Sequence, residues 1–287
     1  MKILDGKSFA LERRIALGEW VSNHREQAGR APGLTVLLAG DDPASATYVR
    51  SKEKAAAKAG INGEIQRLSS SISENELLAR IEALNADPAV DGILVQLPLP
   101  EGLDENLVLD AIDPTKDVDG FHPSNSGALW QQRGQVAPCT PLGIMHLLEA
   151  HNLELSGAHA VIIGRSNIVG RPMAELLLQR HATVTITHSR TRDLQSILAT
   201  ADVVVAAIGR PEFDKPEWLK QGVVCIDVGI NRTDEGLVGD FQWQGLDQVA
   251  QAATPVPGGV GPMTIATLLH NTVCAWSRHT GLPSQPE

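Results

Sequence analysis

Apolar positions along the chain fall into two recurring arrangements, short continuous runs and longer stretches in which they return every three to four residues. From Ser8 to Ala28, Leu11, Ile15, Leu17, Trp20 and Val21 are interleaved with charges at helical spacing, which predicts an amphipathic helix. LTVLLAG, residues 34–40, is a continuous apolar run of strand length, the pattern of a strand buried on both faces. After the turn DDPAS, a helix from about Ala44 to Ala59 stops at Gly60 and precedes a strand near Glu64 to Leu68. Ser73, with Glu76 three residues on, marks a capped helix start ahead of Leu77, Leu78, Ile81 and Leu84. Gly92 to Val95 forms another buried strand, and Pro98 and Pro100 force an extended exit from it. Alternation of strand and helix implies right-handed crossovers and a parallel sheet.

The stretch from Asp110 to Gly127 is rich in Asp, Pro, Gly and Ser and has no periodicity, which places a domain boundary at its end. A first domain is expected over 1–127 and a second over 128–261. Beyond the boundary come a helix from about Pro141 to His151, an apolar run from Ala160 to Ile163, Gly164, a short polar turn, Gly170 and a helix from Arg171. THSRT, ADVVVAAIG and VVCIDVGINR each end a strand in a turn, giving a second doubly wound unit. A final helix, Pro262 to Arg278, follows the glycine-rich TPVPGGVGP, and the segment 262–287 is expected to return to the first domain. The strand, turn and helix around Gly164 present backbone N–H groups and the positive end of a helix dipole, for which a dinucleotide pyrophosphate is the natural guest. The usual G-x-G-x-x-G has Ser166 at its second glycine position and Val169 at its third. The expected fold is therefore α/β, two domains each a parallel-sheet α/β unit, the second Rossmann-like, with a cleft between them.

Composition narrows the partners. With 287 residues, 43% apolar and 20% charged, the chain has room for two domains and an ordinary globular core. A formal net charge of −10, with no basic cluster to offset it, argues against a nucleic-acid surface and leaves small molecules as the default partners. Cys139, Cys225 and Cys274 are widely separated, so they suggest neither a metal site nor a disulfide framework and fit a reducing compartment. The N-terminal MKILDGKSFALERR has no room for a signal peptide's apolar region, and no apolar stretch approaches the roughly 20 residues that cross a bilayer. A cytoplasmic protein with no membrane partner is expected.

Several residues could carry chemistry. Tyr48 and Lys52 are four apart on the predicted helix and share one face; an exposed lysine beside a half-buried tyrosine is the plainer reading of the pair. Such a pair with a glycine turn is similar to short-chain dehydrogenases, but there the turn precedes the pair, whereas here it follows. Gln96 falls at the carboxyl end of a buried strand, where open parallel sheets bind ligands, and Asp119 lies in the DVDG turn; each is also an ordinary turn residue. Together with Lys52 they would make an acid-base group, an amide to position it and a carboxylate for a nitrogen-rich ligand. In the second domain, the strand ending ITHSRT lacks the acid that NAD enzymes place on the ribose 2′-hydroxyl. Ser189, Arg190 and Arg165 instead offer a hydroxyl and two cations, which suit a 2′-phosphate and hence NADP.

YVRSK at 48–52, VQLPLP at 95–100, DVDGFHPSNSG at 117–127, GRSNIVGRP at 164–172, DVGINR at 227–232 and TPVPGGVGPMT at 254–264 closely resemble, in order, the bifunctional methylenetetrahydrofolate dehydrogenase/cyclohydrolase family. That resemblance implies NADP-linked oxidation of 5,10-methylenetetrahydrofolate to the methenyl cation, then hydrolysis to 10-formyltetrahydrofolate, within the one-carbon metabolism that serves purine biosynthesis. It further implies Lys52 as the acid-base group, its pKa lowered from about 10.4 toward neutrality by burial and the adjacent cation. Gln96 would orient Lys52, Tyr48 would stack on the aminobenzoate ring, and Asp119 would bond the pterin nitrogens. Pro257, Gly258 and Gly259 would line the substrate cleft, where glycines let backbone approach planar rings. Gly164, Arg165 and Ser166 would meet the cofactor's phosphates and ribose, Ser189 its adenosine end, and Ile230 its nicotinamide side. A homodimer is implied as well. Two rival readings stay open at the level of sequence, a shikimate-type NADP dehydrogenase and a nucleotide-binding regulatory module without activity.

Overall fold

The computed structural model describes residues 1–40, 42–234 and 236–284, so Asp41 of the predicted DDPAS turn and the end of the 262–287 segment lie outside the described residues. In the first half of the chain the elements are β1 (Lys2–Ile3), α1 (Gly6–Ala28), β2 (Gly33–Ala39), α2 (Pro43–Lys58), β3 (Asn62–Leu68), α3 (Glu74–Ala86), β4 (Gly92–Val95), α4 (Glu105–Asp110) and α5 (Pro123–Trp130). There follow α6 (Cys139–Ala150), β5 (His159–Ile163), α7 (Gly170–Gln179), β6 (Thr183–Thr187), α8 (Leu194–Leu198), β7 (Val203–Ala206), β8 (Val223–Asp227), β9 (Asn231–Thr233), β10 (Gly236–Val238), β11 (Ala250–Ala253) and α9 (Val260–Thr280).

The chain forms two compact units, a first made of residues 11–139 and 265–287 and a second made of residues 1–10 and 140–264. This division differs from the expected boundary at 127 in two places. The aperiodic stretch before Gly127 holds the start of α5 and stays in the first unit, and residues 1–10 join the second because β1 pairs in parallel with β11, Lys2 opposite Ala252.

In the first unit a three-stranded parallel sheet runs β3-β2-β4. β2 is central and buried throughout, as its unbroken apolar run requires. α2 begins at Asp42, whose carboxylate accepts the N–H of Ser45 at 2.7 Å, and α3 begins with the capping box that Ser73 and Glu76 predict. Ala55 and Ala56 of α2 and Ala59 just past its end enter a core with Leu34, Val36 and Leu38 of β2, and the same core holds Leu268, Leu269, Val273 and Trp276 of α9. The end of that helix is pinned by charge. Fully buried Asp91 accepts two hydrogen bonds from Arg30 at 2.6 and 2.8 Å, one from the N–H of Gly33 at 2.8 Å, and meets His279 Nδ1 at 2.9 Å. Burial alone would raise the Asp91 carboxyl, yet these partners hold it below the usual carboxylate value.

The second unit is a six-stranded sheet of order β1-β11-β8-β7-β5-β6, with every pairing parallel. β5 is flanked by β6 on one side and β7 on the other, so the crossovers diverge there, and the carboxyl ends of these strands form the switch point where such sheets bind ligands. The VVCIDVGINR run is a strand ending in a turn, as its pattern predicts. β8 ends at Asp227, and Asn231 opens the antiparallel hairpin β9–β10.

Candidate functional site

In the first unit, α2 carries Tyr48 and Lys52 one turn apart, and the Lys52 ammonium stands 4.7 Å from the Tyr48 ring centroid, over its face. Lys52 is only 5% exposed, which removes the plain reading of a solvated lysine. Gln96 follows β4, and its backbone N–H bonds Leu37 O at 2.9 Å, extending the sheet by one residue. The Gln96 Nε2 donates to Leu97 O at 2.7 Å, which turns Oε1 toward Lys52 Nζ at 3.0 Å. A carbonyl only accepts, so the amide has one satisfactory orientation, and it fixes the lysine.

Asp119 sits on a tightly held turn. The N–H groups of Gly120 and His122 and the amide of Asn125 all donate to Asp117, at 3.0, 2.9 and 2.8 Å. Burial lowers the Lys52 pKa, while the nearby Asp119 charge opposes the fall. Burial raises the Asp119 pKa, with Lys52 attraction opposing. The structure thus gathers Tyr48, Lys52, Gln96 and Asp119 in one unit. Sequence reasoning missed Asp117, Asn271 and the role of Cys139, a buried thiol whose Sγ donates to Val118 O at 3.2 Å. The thiol is pushed well above its usual pKa, first by burial and then by Asp119, and so remains protonated.

In the second unit, a pocket of about 370 Å³ opens at the switch point, lined by Gly164, Arg165, Ser166, Thr187, His188, Ser189, Ala207, Arg210 and Phe213 among others. Two glycines are dictated by close approach. Gly164 has φ +125°, and a Cβ there would lie 2.5 Å from Ala207 O; one on Gly170 would lie 2.3 Å from Gly164 O. The departure at Ser166 has a structural use, because its Oγ accepts the N–H of Val169 at 3.1 Å and of Gly170 at 3.3 Å, capping the start of α7. Arg190 does not line the pocket; its N–H donates to His188 Nδ1 at 3.1 Å. Ile230, 57% exposed, lies outside the pocket wall and beside Gly261, whose added Cβ would meet its Cδ1 at 3.5 Å. Pro257, Gly258 and Gly259 form the turn before α9 against residues 6–7, with Lys7 N–H on Gly258 O at 2.8 Å.

Behind the pocket stand three buried carboxylates that sequence reasoning did not single out. Asp240 accepts the N–H groups of Ile208, Gly209 and Arg210 at 2.8 to 3.0 Å and the amide of Asn231 at 3.0 Å, holding the loop that presents Arg210. Arg210 in turn lies 4.8 Å from the Phe213 ring centroid. Asp227 accepts from Gly229, Asp240 and Phe241. Asp214 is fully buried with no hydrogen-bond partner for either carboxyl oxygen among the described residues, and burial, with Asp240 and Asp227 adding repulsion, pushes its pKa to about 8.

The residues present fit NADP. The cradle has two cations, Arg165 and Arg210, beside Ser166, His188 and Ser189, and no carboxylate lines it among the described residues. Fold and sites together define a nucleotide-binding α/β protein of two units with a buried lysine in the unit that lacks the cradle. The model of the tetrahydrofolate dehydrogenase/cyclohydrolase catalytic domain matches residues 4–119, and that of the family's NAD(P)-binding domain matches residues 138–280. The chain belongs to this family. It is 55% identical over 98% of its length to the bifunctional protein FolD of Maridesulfovibrio salexigens, all of which is covered. The crystal structure of the bifunctional methylenetetrahydrofolate dehydrogenase/cyclohydrolase from Campylobacter jejuni matches with a TM-score of 0.94 at 46% identity, covering 97% of this chain and 99% of that one. The Trypanosoma brucei dehydrogenase-cyclohydrolase, solved with NADP cofactor and inhibitor, matches at 0.92 and 38%, covering 96% and 97%. Shikimate dehydrogenase from Aquifex aeolicus, at 14% identity and a TM-score of 0.53, shares the fold alone.

Proposed function

We propose that this chain oxidises 5,10-methylenetetrahydrofolate with NADP and hydrolyses the resulting methenyl compound to 10-formyltetrahydrofolate, with Lys52 as the proton carrier of the second step. NADP, when bound, supplies the hydride acceptor. The methenyl product is an amidinium stabilised by its own two nitrogens, so oxidation asks the protein chiefly for geometry. Arg165, Ser166 and Ser189 bind the cofactor's phosphate and adenosine end, the Gly164 turn gives its backbone access, and Ile230 borders its nicotinamide end. Pro257, Gly258 and Gly259 pack against a planar ring of the substrate.

Hydrolysis asks for proton traffic: the attacking water loses one proton as it adds and its remaining hydroxyl proton as the carbonyl forms, while a ring nitrogen gains one as its C–N bond breaks, so one proton is released overall. Lys52 Nζ takes the first proton and returns it to the ring nitrogen, and the hydroxyl proton leaves to solvent. Burial lowers the ammonium pKa, which eases the loss of its proton, while the Asp119 charge opposes that fall. Gln96 holds Nζ in place, Tyr48 stacks on the aminobenzoate ring, and Asp119 accepts from the pterin nitrogens. The observation that carries the reading is a lysine almost removed from water and held at 3.0 Å by a glutamine whose orientation is fixed. A spectrophotometric assay with 5,10-methylenetetrahydrofolate, comparing NADP with NAD and with shikimate as the rival substrate, tests it. NADP-dependent methenyl formation is expected, and its absence at saturating cofactor would return the inactive binding module.

A homodimer in the cytoplasm, supplying formyl groups to purine biosynthesis, completes the proposal. Family membership supports the dimer, and three free cysteines support a reducing compartment. Sedimentation at micromolar concentration should give twice the chain mass; a monomer's mass would contradict it.

A further inference from the structure

Asn271 stands on α9, in the part of the helix belonging to the first unit, and is 3% exposed. Its Nδ2 donates to Val118 O at 2.9 Å and to Ala137 O at 3.1 Å, and lies 3.6 Å from Cys139 Sγ. Both oxygens can only accept, so the amide's NH₂ must face them. These partners belong to the two stretches of chain that enclose Asp119. Val118 is the residue before it. Ala137 and Pro138 are the backbone on which the residue after it packs, since a Cβ on Gly120 would lie 2.8 Å from Pro138 N and 2.9 Å from Ala137 C.

The Val118 carbonyl is therefore held twice, by Asn271 and by the Cys139 thiol. On its own helix Asn271 has Leu268 three residues before it and Ala275 four after it, both in the apolar core. A buried amide costs free energy unless bonded, and an apolar side chain would serve such a helix better. What the amide contributes is at the turn.

We infer that Asn271 is a positioning residue for Asp119, a brace from α9 that fixes where the carboxylate stands relative to Lys52 and to the folate ring. The inference rests on the folate reading of Asp119 given above. Without the brace, the Val118 carbonyl loses one of its two donors, and the Asp119 charge moves away from Lys52. Two consequences separate this from a merely structural role. Substrate binding weakens while hydride transfer from bound substrate is largely kept. Lys52 also loses part of the attraction that opposes its burial, so the pH profile of hydrolysis shifts toward acid.

The test compares wild type with Asn271→Ala. The expected result is a rise of roughly tenfold in KM for methylenetetrahydrofolate and in the Kd of tetrahydrofolate measured by titration. In the same variant kcat for oxidation should stay within about threefold, NADP affinity should be unchanged, and the hydrolysis profile should move to lower pH. If Asn271→Ala does not fold, Asn271→Ser keeps one donor and should show the same pattern at smaller amplitude. Unchanged KM and pH profile in a folded variant of an active enzyme would overturn the positioning role. An inactive wild type would overturn the functional reading first, and this inference with it.

Discussion

The two units build their sites from different material. The first relies on side chains whose charges are set by burial: Lys52 almost out of water, Gln96 locking it, Asp119 acting on it from the next turn. The second relies on backbone, with a glycine turn that no side chain could enter and a loop whose N–H groups are tied to a buried carboxylate. Proton transfer needs a particular group at a particular pKa, whereas binding a pyrophosphate needs oriented N–H groups and room. Substitutions should accordingly fail in different ways in the two places.

The sharpest break is Lys52→Met. General acid-base groups contribute about 10²–10⁴-fold, so methenyl hydrolysis should fall by at least about 100-fold while part of the NADP-linked oxidation survives. Its counterpart is Gly164→Ala, which puts a methyl 2.5 Å from Ala207 O at φ +125°. Strain of roughly 1–3 kcal/mol should raise the NADP Kd on the order of 10- to 100-fold and leave tetrahydrofolate binding alone, as titration calorimetry with each ligand would show. If both ligands weakened together, the division between the units would be wrong.

A smaller effect concerns what supports the cradle. Asp214 has a native pKa of about 8 against about 4 unfolded, so between those values the native state holds a proton that the unfolded state has lost. Stability from this group is full below pH 4 and declines as pH rises toward 8. Asp214→Asn should remove that part of the slope in urea denaturation measured from pH 5 to 8. An unchanged slope would mean that the carboxyl is not held neutral. The smallest effect is expected of exposed Arg165: Arg165→Gln should lower the preference for NADP over NAD by about tenfold in kcat/KM, leaving NAD kinetics nearly unchanged.

The same contrast explains what could be read from the chain. Buried strands such as β2 and β8 announce themselves as apolar runs, and the α3 cap as Ser73 and Glu76. The short β1 and β11 carry too few residues to show a pattern, and they shift the unit boundary because two residues, Lys2 and Ile3, pair with a strand some 250 positions away. Lys52, Gln96, Tyr48 and Asp119 stood out through motif order. Their supports did not, since Asn271 and Cys139 act through contacts across 153 and 21 residues and look like ordinary core positions. Arg210 and Asp240 were hidden likewise, one after a strand and one just past a hairpin, joined only by the folded loop.

The central claim, that one unit moves protons while the other holds the hydride acceptor, is tested most directly by one time course: methenyl absorbance during oxidation of methylenetetrahydrofolate with NADP by Lys52→Met. The expected result is that the methenyl compound accumulates in step with NADPH and then decays only at its uncatalysed rate, whereas wild type hydrolyses it faster than that. Loss of NADPH formation in equal proportion to loss of hydrolysis would contradict it.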